Sequence, residues 1–188
     1  MRVKTWQQLP YFDPRGVLIA LRELATNLPA ELPYKVAALR TNQLKRYLEG
    51  RQCALLCYGM SQRMGVEVRF AMQEESDVDF VGRYETEGVI NFVPIQLKEF
   101  VPDIVNPNAS LQTELDKLSK YSDSADLVVA FHLNRTGTIH LSELDFSRVP
   151  VKQLWFFGAC SEHQTDWLLI GDLLSPGATY FNFSYPTT

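Results

Sequence analysis

The run from residue 126 to 133 constrains this chain more than any other stretch. After Asp126 it reads Leu, Val, Val, Ala, Phe, His, Leu, almost without a polar break. A strand with one wet face alternates, whereas one covered on both faces reads as a continuous apolar run. The run therefore calls for a sheet with material packed on each side. With 188 residues the chain is long enough to provide it within one domain.

The elements around this strand follow from periodicity and punctuation. Asp13-Pro14 is a helix cap followed by proline in the first turn. Val17, Leu18, Leu21, Leu24, Ala25 and Leu28 then recur at helical spacing up to Pro29. Pro33 opens a second helical pattern through Val36, Leu39, Leu44, Tyr47, Leu48 and Leu55, reaching about 64–65. Within it, 53–58 also fits a short buried strand. Residues 66–72 alternate as a half-buried strand, 77–84 is the next, 85–88 supplies a turn and 89–100 returns. Pro94 marks an edge position or a bulge near Gln96. Ser110 caps a short helix with Leu111, Leu115 and Leu118 as its stripe. Residues 151–159, 167–174 and 180–185 are further strands. Helices, a three-strand meander, a helix and a buried strand together predict an α/β (α+β) fold, a mixed central sheet flanked by helices.

Composition excludes little. There are 18 Lys+Arg against 22 Asp+Glu, a formal net charge of −4. That does not advertise nucleic-acid binding, although a basic groove can sit on an acidic domain. No apolar run approaches the ~20 residues of a membrane span, and residues 1–10 lack a signal-peptide layout. Cys53, Cys57 and Cys160 cannot all pair within the chain, which points to a reducing cytoplasm. Zinc would need those cysteines and His163 brought together, and nothing in the sequence does that. His132 and His140 read as structural, and Glu67 as a solvent-facing strand residue.

The polar residues of the meander carry the functional signal. Asp77 and Asp79 are two apart, as are Gln96 and Lys98, so each pair shares one face of its strand. If the strands pair, an acid, an amide oxygen and a lysine converge. Mg²⁺ prefers oxygen ligands and keeps several waters. Asp79, Gln96 and the Leu97 carbonyl could supply three oxygens, with Lys98 beside a bound phosphate. The plain alternative is a solvated sheet face with a cross-strand ion pair worth ~0.2–1 kcal/mol.

Asp79-Phe80-Val81, a hairpin, then Ile95-Gln96-Leu97-Lys98 resembles the PD-(D/E)xK nuclease superfamily, with Val78 where proline is common and Gln96 where an acid is usual. The resemblance covers about 33–133 and implies a restriction-endonuclease-like fold in one domain, 1–188, with 134–188 as a C-terminal extension. It implies Mg²⁺- or Mn²⁺-dependent hydrolysis of phosphodiesters, in DNA or alternatively RNA. The implied catalytic set is Glu49, Asp79, Gln96 and Lys98, with Asp77 as the rival acid and Glu49 reaching metal through water. Lys117 and Lys120, on the helix after the meander, are placed to meet phosphates. The resemblance further implies a homodimer or a protein partner that supplies target choice, a role the C-terminal third is free to take. Gln96 keeps open a catalytically inactive binding or assembly module.

Overall fold

The computed structural model of the protein describes residues 2–29, 31–75, 77–121 and 126–187. Ser76, at the head of the acidic stretch, lies outside them. The fold is a mixed α+β arrangement around one seven-stranded sheet, with strands in chain order from edge to edge. These are β1 (Arg69–Glu75), β2 (Val78–Thr86), β3 (Val89–Phe100), β4 (Val128–Leu133), β5 (Gln153–Ala159), β6 (Asp166–Gly171) and β7 (Thr179–Ser184). Pairing is antiparallel from β1 to β3, parallel from β3 through β4 to β5, and antiparallel again to β7.

The apolar run becomes β4, the middle strand, and its alternate residues enter two different cores. Val128 and Ala130 pack with Leu18, Leu55, Phe80, Phe157 and Trp167 on one face. Val129 and Phe131 pack with Val81, Leu115, Leu118, Leu154 and Phe156 on the other. Burying a side chain of this size contributes about 1.5–3 kcal/mol, so neither face tolerates a polar residue lightly. Residues 134–187 continue the same sheet through β5, β6 and β7.

The first face is covered by α2 (Pro14–Thr26) and α4 (Lys45–Met64). Asp13 caps α2, its carboxylate accepting from Arg15 N and Gly16 N, each at 3.0 Å. A short α1 (Arg2–Trp6) precedes it. The second face is covered by α5 (Leu111–Asp116), capped by Ser110, and by the 3₁₀ turn Lys117–Tyr121.

Five expectations shift. The helix expected from Pro33 is broken in two, α3 (Tyr34–Ala37) and then α4, because Leu39 takes a left-handed conformation (φ 57°). Residues 53–58 lie inside α4 and are not a strand. β1 starts at Arg69 instead of Val66: the chain leaves α4 through left-handed Gly65, and the Val68 N–H is taken by Ser61 Oγ at 2.9 Å, not by a neighbouring strand. The hairpin turn narrows to Glu87-Gly88, both at positive φ (52° and 75°), the geometry that matches strand twist. Pro94 pairs with Val81 in regular register, while β4 begins its pairing at Ile95, so the missing N–H faces a locally open flank. The bulge falls in β1, between Met72 and Glu75.

Candidate functional site

The sheet forks where the polar residues gather. β2 and β3 hold register from Thr86↔Val89 to Phe80↔Ile95 and then part. Beyond that point β2 remains with β1 at Val78, and β3 continues beside β4 as far as Phe100. The fork would leave a β3 N–H without a partner strand, and Asp79 supplies one. Its Oδ2 accepts from Leu97 N at 2.9 Å. The same oxygen accepts from Gln96 Nε2 in a short contact. Gln96 is buried, and its Nε2 also lies 3.4 Å from the Leu97 carbonyl oxygen.

Three groups named from the sequence therefore converge: the Asp79 carboxylate, the Gln96 amide and the Leu97 carbonyl. Asp79, on β2, is an acid that meets them, and Asp77 lies just outside the strand. The amide turns its nitrogen toward the two oxygens, placing a partial positive charge where a cation would be attractive. A hard cation accepts this donor set once the amide presents Oε1 instead, since one carboxylate with neutral oxygens and water is an ordinary Mg²⁺ environment. Among the described residues no three His, Cys, Asp or Glu side chains are grouped for a metal.

Lys98 follows Gln96 on the same strand face, and its Nζ stands 5.6 Å from the centroid of the buried Tyr121 ring. Lys120 Nζ approaches the same ring to 4.9 Å. The 3₁₀ turn after α5 thus brings Lys98 and Lys120 to one aromatic platform. Lys117 is held elsewhere, paired with Glu114 at 2.6 Å on the exposed side.

Glu49 lies on α4 one turn before Gln52 and Cys53, both buried against the sheet. Its carboxylate pairs with Lys45 at 3.4 Å, a solvent-screened i,i+4 contact of little energy. Burial, then the neighbouring Cys57, then the charge of Asp79 push the Cys53 thiol upward. Cys57 is buried beside Cys53, whereas Cys160 is exposed at the end of β5.

Sequence reading missed a buried polar seam on the α4 face. Glu99 receives both Nη atoms of Arg40 (3.2 and 2.5 Å) and Asn134 Nδ2 (2.7 Å). Beside it His132 Nδ1 lies 3.3 Å from Gln52 Nε2. Only the histidine inside an apolar run hinted at this seam, because the partners of Glu99 come from 59 and 35 residues away.

Comparison of the chain with protein-family models, with curated proteins and with solved structures found no match.

Proposed function

We propose that the protein is a Mg²⁺- or Mn²⁺-dependent endonuclease-like hydrolase of phosphodiester bonds, acting on DNA first and RNA second, with a restriction-endonuclease-like fold. The observation that carries this reading is the fork at Asp79, where an acid, an amide and a backbone carbonyl meet two residues before a lysine. Asp79, Gln96 and Leu97 would hold the cation, which when bound would offset charge on the phosphate and acidify water.

Lys98 orients the attacking water and balances negative charge developing on the phosphate. Lys120, at the same tyrosine, grips a neighbouring phosphate, and Lys117 an outer one. Glu49 holds water at the helix side. In-line attack leaves a 5′-phosphate and a 3′-hydroxyl. The reading includes a second copy of the chain or a protein partner for target choice.

A specific observation favours a second reading, a nuclease-like module without activity. The Gln96 N–H already supplies Asp79 with a positive partner, and glutamine lacks the charge of the usual acid.

The test is cleavage of plasmid, single-stranded DNA and RNA in Mg²⁺ and in Mn²⁺, paired with Mn²⁺ titration by calorimetry. Lys98→Ala is expected to lower cleavage a hundredfold or more, on the order of what a positioned proton-transfer group supplies. Cleavage that survives in folded Lys98→Ala protein defeats the mechanism. Gln96→Glu is expected to tighten Mn²⁺ roughly fivefold or more, since an added charge at contact distance is worth at least about 1 kcal/mol. Unchanged Mn²⁺ affinity would remove Gln96 from the site and leave the inactive module as the better account.

A further inference from the structure

Two guanidinium groups meet at the turn between β5 and β6, in a place the proposed phosphodiesterase site does not use. Arg22 on α2 donates through Nη2 to the carbonyls of Gln164 at 3.0 Å and His163 at 3.5 Å. Its guanidinium lies 3.7 Å from the centroid of the Tyr185 ring. Arg51 on α4 donates through Nη2 to the side-chain Oε1 of the same Gln164, at 2.8 Å. Gln164 is in the left-handed region (φ 53°), uncommon for a residue with its side chain, and its carbonyl is also held by Trp167 Nε1 at 2.9 Å. The turn is therefore fixed from three sides, and it anchors both cations to one residue. Tyr185 is fixed as well, its hydroxyl donating to the Leu18 carbonyl at 2.7 Å.

Neither arginine has a carboxylate within ion-pair distance among the described residues. Arg51 also hydrogen-bonds the Tyr185 side chain, and no N–H of either arginine is a buried atom left without a partner among the described residues. Like charges held close together at a half-buried position repel in a medium that screens them poorly. Burial lowers the proton affinity of Arg51, Tyr185 opposes that shift, and Arg22 adds a smaller push in the same direction as burial. Gln164 supplies only neutral oxygens, so among the described residues no carboxylate offsets the pair.

We propose that Arg22 and Arg51 form a binding site for a phosphate group. A tetrahedral oxyanion carrying up to two negative charges accepts from two planar guanidinium forks at once, whereas a carboxylate would leave one cation uncompensated. The phosphate belongs either to a small ligand, inorganic phosphate or a nucleotide, or to a nucleic-acid backbone. The site shares no residue with the fork at Asp79, so it stands whether or not that centre is catalytic.

The test uses the full chain, with calorimetric titration and thermal unfolding in inorganic phosphate, a 5′-mononucleotide and a short single-stranded DNA. Sodium acetate and sodium chloride at matched ionic strength serve as controls. Saturable phosphate binding with a raised midpoint is expected, absent with acetate. Arg22→Gln should weaken phosphate at least about tenfold, the worth of charge-assisted hydrogen bonds. Arg51→Gln should do the same, and Arg22→Gln suffices if Arg51→Gln does not fold. DNA that binds more tightly than the mononucleotide and is lost in the same variants identifies a nucleic-acid backbone. Equal binding of phosphate and mononucleotide, with no gain from DNA, identifies a small ligand. A midpoint shift matched by chloride or acetate, or phosphate binding undiminished in Arg22→Gln, overturns the proposal.

Discussion

His132 shows how far burial can override a side chain's ordinary chemistry. Its ring stacks on Phe157 (centroids 5.1 Å apart) and on Trp167 (5.7 Å), and its Nδ1 lies 3.3 Å from Gln52 Nε2. Burial, reinforced by Arg51 and Arg40, pushes its pKa down to about 3. The unfolded chain binds this proton near 6.5 while the native ring stays neutral. Native stability should therefore be fully present above about pH 6.5, fall as pH drops below it and level off near 3. The steepest slope is about 1.4 kcal/mol per pH unit. Urea unfolding at pH 7 and pH 4.5 checks this. The double variant His132→Leu/Gln52→Leu, which leaves neither partner orphaned, should show a shallower decline, and an equal decline would assign the acid sensitivity elsewhere. At this scale the sequence showed which side chains share a strand face. Asp79 and Gln96 were chosen by strand parity, and they do meet. That Asp79 would bond the Leu97 N–H depended on where β2 and β3 part, which parity does not contain.

The helix α4 is where propensity and packing disagree most sharply. Gly59 sits in its interior, where alanine would ordinarily favour the helix by about 1 kcal/mol. A Cβ at that position would lie 2.7 Å from Cε1 of Phe183 on β7, a ring that is itself buried. Gly59→Ala should therefore destabilise by about 1–3 kcal/mol, the usual cost of overpacking. Thermal or denaturant unfolding decides it, and a stabilised variant would mean that β7 yields easily. The glycine reads as a flaw in a helical pattern and is instead a point of close approach between α4 and Phe183 on β7. Helix starts and stops marked by side-chain chemistry, Asp13, Ser110 and Gly65, were legible. The interruption at Leu39 was not, because it carries no glycine, proline or asparagine signal.

Seen as a whole, the molecule has no natural cut after β4. The segment read as an extension, 134–188, contributes β5 to one flank of β4 and then β6 and β7. Both faces and both edges of β4 depend on neighbours, so a chain ending at Leu133 would expose the strand with the least polar surface. That truncation should be insoluble or unfolded, as judged by circular dichroism and amide NMR dispersion. A cooperative transition in residues 1–133 would restore the extension reading. No helix among the described residues is long and apolar enough to cross a membrane.

The sequence by itself determined that there would be a mixed sheet, that residues 126–133 would lie at its centre, and which faces of the meander would be polar. Those properties are local: alternation, unbroken apolar runs and caps are written in neighbouring residues. Tertiary structure alone decided that the sheet forks at Asp79, that Gln96 turns its nitrogen to the acid, that Lys98 and Lys120 share Tyr121, and that Arg22 and Arg51 meet at Gln164. Each joins residues far apart in the chain through strand order and crossover, and the energy that selects such a meeting belongs to the packed whole.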